Sequence, residues 1–121
     1  MSRIQEIEKL LGDYFDALYN SNAELLAKVM HPRAIYASAD EQPLLYRTMD
    51  EYLPIVAARA SPASRNEARH DSIDSICVAG NRTAHARVRC AIGPRRFVDF
   101  LSLIFAEGRW QIIAKVFQIT E

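Results

Sequence analysis

Residues 97–117 read FVDFLSLIFAEGRWQIIAKVF, and how this stretch pairs with itself decides the fold. Two apolar runs with a period of two flank Glu107-Gly108, the pattern of a tight β-hairpin. With no bulge, Phe105 opposes Trp110, Leu103 opposes Ile112 and Leu101 opposes Ala114, with Asp99 on the same face. The reverse face then carries Val98, Phe100, Ile104, Ile113, Lys115, Phe117 and Ile119. Both faces are mostly apolar. Helices can cover one, and the other calls for a second sheet, which predicts a homodimer packed through the outer sheet face. A one-residue bulge would move Lys115 to the opposite face.

Working outward, residues 67–79 and 82–92 flank Gly80-Asn81, a second hairpin, and Gly93-Pro94 turns the chain between the two. The segment TAHARVRCA (83–91) alternates Ala84, Ala86, Val88 and Cys90 on one face with His85, Arg87 and Arg89 on the other. Upstream, Ile4, Ile7, Leu11, Tyr14 and Leu18 step by three and four, an amphipathic helix opened by a Ser2/Gln5 capping box. A Ser21/Glu24 box opens a short helix that Pro32 stops, and a Thr48/Glu51 box opens a third through about Arg59, with a kink or late start expected at Pro54. Residues 33–39 read as a strand, 44–47 as a brief one, and 60–66 as a loop. Three helices followed by a four-stranded antiparallel meander make an α+β layout, with helices on one side of a curved sheet.

A chain of 121 residues, half of them hydrophobic, is one domain, 1–121, with enough apolar surface for a core. Fifteen basic and fifteen acidic residues leave no net charge, so neither nucleic acid nor a membrane surface is expected as a partner. No apolar run has the length of a signal peptide or a bilayer span, and Cys77 and Cys90 form no disulfide framework. A cytoplasmic location is the expectation. The three histidines lack metal-ligand spacing and the four glycines form no phosphate loop, so neither metal nor cofactor is expected.

Taken together, the helix with Tyr14 at its centre, the polar break, the short helix running into Met30-His31-Pro32, and the meander ending in Asp99, Gly108, Trp110, Ile112, Lys115, Val116 and Phe117 resemble the nuclear transport factor 2-like superfamily. Within it they resemble the "putative lumazine-binding" (SnoaL-like) branch. The resemblance implies a cone-shaped α+β barrel, three N-terminal helices on a strongly curved and mainly antiparallel sheet, with a pocket inside the cone and a dimer through the outer face. The ketosteroid isomerases of this superfamily use a tyrosine, a carboxylate base and a neutral acid. Matching them without gaps retains the tyrosine at Tyr14, but places Ser38 at the base and Leu101 at the acid. A hydroxyl with no base cannot shuttle a proton between carbons, so isomerisation of that type is rejected.

The same matching turns His85, Arg87 and Arg89 to the cavity side, with Arg89 near the rim, leaving Ala84, Ala86 and Val88 outside, and strand alternation adds Tyr36, Ser38 and Asp99 to the cavity. Ligand-binding candidates are therefore Tyr14, Tyr36, Ser38, Arg87 and Trp110. His85 and Asp99 are the catalytic candidates if the protein is an enzyme, since a histidine beside a carboxylate is the usual acid–base pair near neutral pH. Each has a structural alternative: Tyr14 in the core, Arg87 in a cross-strand ion pair with Asp74, His85 as a satisfied buried histidine. The first expectation is a binding protein for a polar or anionic aromatic small molecule. The second is a cofactor-free isomerase, cyclase or dehydratase using His85, Asp99 and Arg87, and the third is a dimeric interaction module.

Overall fold

The computed structural model describes residues 2–120. Helix α1 spans Arg3–Tyr19 and α2 Ala23–Val29; strands β1 (Met30–Ser38) and β2 (Leu45–Thr48) precede α3 (Met49–Ala58). A 3₁₀ turn at Ala63–Arg65 leads to β3 (Ser72–Ala79), β4 (Thr83–Ile92), β5 (Arg95–Ala106) and β6 (Arg109–Ile119). The six strands form one sheet in the order β2-β1-β6-β5-β4-β3. All neighbours are antiparallel except β1 and β6, which run parallel.

The helix starts follow from local chemistry. At α1 the Ser2 hydroxyl accepts the Gln5 N–H at 3.2 Å and the Ser2 N–H donates back to Gln5 Oε1 at 2.9 Å. At α3 the Glu51 carboxylate accepts both the Thr48 N–H, at 2.9 Å, and its hydroxyl, at 3.1 Å. The second cap differs from the sequence expectation. Asn22, not Ser21, accepts from the first turn of α2, with 3.1 Å to Leu25 N–H, because Ser21 occupies the left-handed region at φ 48° and cannot cap. Pro54 lies inside α3 on an exposed position, so the helix begins before the proline.

Register irregularities occur at Met30/Ile35 between β1 and β6, at Ile73/Ser75 between β3 and β4, and at Ser102/Leu103 between β5 and β6. Bulges bend strands and increase twist, which wraps the sheet around the helices. The core joins Ile7, Leu11 and Tyr14 of α1 and Tyr52 and Val56 of α3 to Ala86, Val88, Leu101, Leu103 and Ile112 of the sheet.

Two sequence expectations about faces are overturned. Ala84, Ala86, Val88 and Cys90 are buried, whereas His85 and Arg89 are exposed and Arg87 half-buried. Across β4 and β5, Val88 pairs with Asp99 and Ala86 with Leu101, while His85 pairs with Ser102, so His85 lies on the opposite face from Asp99. The helices supply the bulk of the core, and alanines suffice beneath it; burying a histidine and two arginines there would strip their hydration without supplying partners. On the outer face both arginines instead reach one carboxylate, Arg87 Nε at 3.0 Å and Arg89 Nε at 2.9 Å from Asp74 Oδ2.

The second correction concerns Lys115. Leu103 pairs with Ile112 and Ser102 with Ala114, which leaves Ile113 as the extra residue. Beyond this bulge Leu101 opposes Lys115 rather than Ala114, and Lys115 turns inward at 5% exposure.

These faces make a direct prediction. His85→Ala and Arg89→Ala should change unfolding free energy by no more than about 0.5 kcal/mol, while Leu101→Ala should cost about 2–5 kcal/mol. Urea denaturation measures all three, and a core-sized loss at His85 would contradict the outward assignment.

Candidate functional site

Inside the cone, β5 and β6 bring one acid and one base together out of water. Asp99 is fully buried, and its Oδ2 lies 3.7 Å from Lys115 Nζ. The same oxygen accepts the Tyr14 hydroxyl at 2.7 Å and faces the Cys90 thiol at 3.6 Å. The cluster thus ties α1 to three positions on β4, β5 and β6. Lys115 Nζ is also ringed by aromatic faces, 5.3 Å from the Tyr14 and Tyr36 centroids, 5.4 Å from Phe117 and 5.9 Å from Tyr52. Tyr36 stacks on Tyr52 at 4.2 Å, and Phe117 packs on Tyr36 at 4.8 Å.

This environment governs protonation. Burial, the largest effect, pulls the Lys115 ammonium toward neutrality, but Asp99 together with Tyr52, Cys90 and Tyr36 outweighs it, so the net shift is upward and the lysine stays charged. Burial, then Asp99, push the Tyr14 phenol well above its usual range and the Cys90 thiol from 9.0 to about 12. Burial raises Tyr36 as well, against the pull of Lys115. Neither Lys115 nor Cys90 is a nucleophile near neutral pH: the lysine is protonated and the thiol un-ionised.

Above this floor the cone opens into a cavity of about 460 Å³. Its walls are Tyr36, Ser38, Arg59, Phe97 and Phe117, and its rim is the 40–45 segment with Arg95. A small inner chamber of about 30 Å³ shares Tyr36, Arg59, Phe97 and Phe117 with it and adds Tyr52, Cys90 and Lys115. The rim is held in place: Asp40 Oδ2 accepts the Ile119 N–H at 2.8 Å, and Ser38 Oγ accepts the Asp40 N–H at 3.2 Å. A neighbouring cleft of about 510 Å³, larger by volume, is lined mainly by polar and charged residues such as His70, Asp71, Arg89 and Arg96. The aromatic cavity is the better candidate, because apolar walls with a few directed polar groups are what hold an organic ligand.

The structure brings Tyr14 and Asp99 together at the floor and places Tyr36 and Ser38 in the cavity wall. It does not bring in His85 or Arg87, which face outward beside Phe100, so the His85–Asp99 acid–base pair does not exist. Trp110 is buried but packs on Phe105 near the hairpin turn, 5.6 Å between centroids, and lines neither chamber. Sequence reasoning missed Phe97, Phe117 and Arg59. Phe97 was within reach, since it shares the face of Asp99 by alternation; Phe117 was not, because only the bulge at Ile113 moves it from the reverse face to pair with Asp99. Arg59 was not: it follows the last turn of α3, where no periodicity marks it, yet its Nε and Nη2 are buried with no partner among the described residues. Among the described residues no group of three or more His, Cys, Asp or Glu could hold a metal ion.

Removing one member of the floor should be costly. Asp99→Asn leaves the Lys115 ammonium buried without its counter-charge and should lower stability by about 3–5 kcal/mol, whereas Asp99→Leu with Lys115→Met should recover most of that loss. The protonation shifts set the pH dependence. A folded pKa raised above the unfolded one contributes stability fully present below the unfolded value and lost as pH climbs through the folded one. For Cys90 that window runs from 9.0 to about 12, and Tyr14 and Lys115 add losses of the same sign above about pH 10. Unfolding free energies from urea titration should be flat from pH 7 to 8.5, then fall by about 1.4 kcal/mol per pH unit for each group engaged, with Cys90→Val delaying the onset.

The architecture is shared with solved structures. An NTF-2 like protein of unknown function from Silicibacter pomeroyi DSS-3 superposes with a TM-score of 0.82 at 24% identity, covering 98% of this chain and 99% of that one. A ntf2-like protein of unknown function from Shewanella baltica OS155 gives 0.84 at 19% identity, over 100% and 98% of the two chains. A ketosteroid isomerase-like protein from Erwinia carotovora atroseptica SCRI1043 gives 0.75 at 11% identity, over 97% and 95%. At these identities the likeness establishes the fold. No curated protein matches the chain. The sequence profile of the family described as "Putative lumazine-binding" matches residues 2–118, nearly the whole chain. The chain belongs to this family, and its cone of three helices on a bulged six-stranded sheet is the fold of the NTF2-like structures just described.

Proposed function

We propose that this protein binds a small planar molecule in the open end of its cone, as a homodimer joined through the outer sheet face. The observation that carries the reading is the 460 Å³ cavity walled by Tyr36, Phe97 and Phe117, with Arg59 as the charged group in that wall and other charges at the rim. Its volume lies within the range typical of small-molecule sites. The family's description names lumazine, a flat bicyclic heterocycle, and aromatic walls suit such a ring by offset stacking.

An acid–base enzyme is less well supported. The inner chamber presents Lys115, Arg59 and Cys90, and Asp99 is not among its lining residues. The carboxylates near the cavity are Asp40 and Glu41 at the rim, and Asp40 is engaged with Ile119. A proton-transferring base in contact with a bound substrate is therefore missing from the inner wall.

Dimerisation is supported by the outer face, where Phe100 is 47% and Val116 49% exposed beside half-buried Val98, Ile104 and Ile113. Covering these side chains removes apolar area from water. Among the described residues no helix is long and apolar enough to cross a membrane.

Two measurements test these statements. Differential scanning fluorimetry of the purified protein against planar heterocycles, lumazine included, should find compounds that raise Tm, and Phe117→Ala should abolish the shift; if no compound raises Tm, the binding reading fails. Light scattering should give the mass of a dimer for the native chain and of a monomer for Val116→Arg, and a monomeric native chain would refute the dimer.

A further inference from the structure

The ligand's charge can be read from the charges of the wall. Three ionisable side chains govern the interior: Asp99 and Lys115 at the floor, and Arg59 where the two chambers meet. Asp99 faces Lys115 across 3.7 Å, and these two compensate each other. Arg59 has no such counterpart. It takes part in no ion pair or hydrogen bond among the described residues, and its Nε and Nη2 are both buried. Some exposed arginines do have carboxylate partners: Arg65 reaches Glu67 at 2.9 Å and Arg69 reaches Asp16 and Asp71 at 2.9 Å. Arg95, at the rim of the same cavity, likewise forms no ion pair among the described residues, but it is exposed to solvent, whereas Arg59 keeps two donors buried in the wall.

A half-buried guanidinium with two buried donors unpaired is costly to hold, and buried polar groups in folded proteins are regularly satisfied by something. Its planar fork fits a carboxylate with two parallel N–H···O bonds. We infer that the cavity takes an organic monoanion, a planar ring bearing a carboxylate, with the acid group on Arg59 and the ring between Tyr36, Phe97 and Phe117. This inference rests on the binding reading above and adds the sign of the ligand. The position of Arg59 makes the geometry possible, because it lines both chambers together with these three rings. Lys115 at the base is compensated by Asp99, and the exposed rim residues Asp40, Glu41 and Arg95 sit at the entrance, where solvent screens them.

The test compares two uncharged-versus-charged twins on the native chain, 2-naphthoate and 2-naphthamide, by isothermal titration calorimetry and thermal shift at pH 7. The naphthoate should bind at least about 10-fold more tightly than the amide. Arg59→Gln should erase that preference, and Arg59→Lys, which keeps the charge and loses the fork, should retain part of it. Circular dichroism of both variants checks that the fold is kept. Equal affinity for the two twins, or a preference unchanged in Arg59→Gln, would overturn the inference while leaving the pocket as a site for neutral rings. Binding of neutral heterocycles with no binding of the naphthoate would overturn it as well. If no aromatic compound of either charge binds, the pocket reading itself falls.

Discussion

The structure turns on one buried contact, the 3.7 Å pair between Lys115 and Asp99. Moving an ammonium and a carboxylate out of water costs several kcal/mol each, and only mutual attraction with further polar partners offsets it. Both are supplied here at Asp99 Oδ2, while Oδ1 is buried with no partner among the described residues. The Tyr14 hydroxyl donates to Asp99 at 2.7 Å, and four aromatic faces surround the Lys115 ammonium. Apart from Phe117, which shares β6 with Lys115, each partner comes from a different element, so α1, β5 and β6, with Tyr36 of β1 and Tyr52 of α3, must be in register before the charges are tolerable. The pair need not add net stability to matter. It penalises every alternative packing that would strand one charge in the core, which makes it a device for specifying one arrangement.

The cavity inherits its character from that pair. The rings that cage Lys115 continue upward as the walls of the open chamber, so the surfaces that screen a cation at the base also present flat apolar faces to whatever enters. Asp99 turns its Oδ2 to Lys115 and Tyr14 and lines neither chamber, so the inner chamber has no carboxylate, and Arg59 stands in its wall without an ion pair or hydrogen bond among the described residues. The same arrangement explains why the site suits binding better than proton transfer. The groups touching the chamber are a protonated lysine, an un-ionised thiol, phenols and a guanidinium, all of them donors near neutral pH.

Much of the architecture was legible in the residues. The strands on either side of Glu107-Gly108 fall at 95–106 and 109–119, the α1 capping box at Ser2 and Gln5 forms as its spacing predicts, and the family resemblance is sustained over residues 2–118. These features rest on short-range rules of turn, cap and period, which a sequence carries locally. The site was legible only in part. Tyr14, Tyr36, Ser38 and Asp99 face inward, but His85 and Arg87 do not, and Trp110 lies near the far end of its hairpin. Alternation shows that His85 and Arg87 share a face; it does not show which face is inside.

What the sequence alone determined is therefore the alphabet of the fold: which segments are helices and strands, which residues share a face, and that both sheet faces are apolar enough to need covering. What only the tertiary structure decided is the phase. A single extra residue at Ile113 carried Lys115 from the outer face to the core, and the helices chose the alanine side of β4 as their floor. Arg59 reached the cavity through the path of the chain after α3, a position no periodicity marks. The physical reason is the same in each case. A strand's period of two constrains relative orientation strongly and absolute orientation not at all, so one bulge, or the bulk of the helix above, settles what points inward.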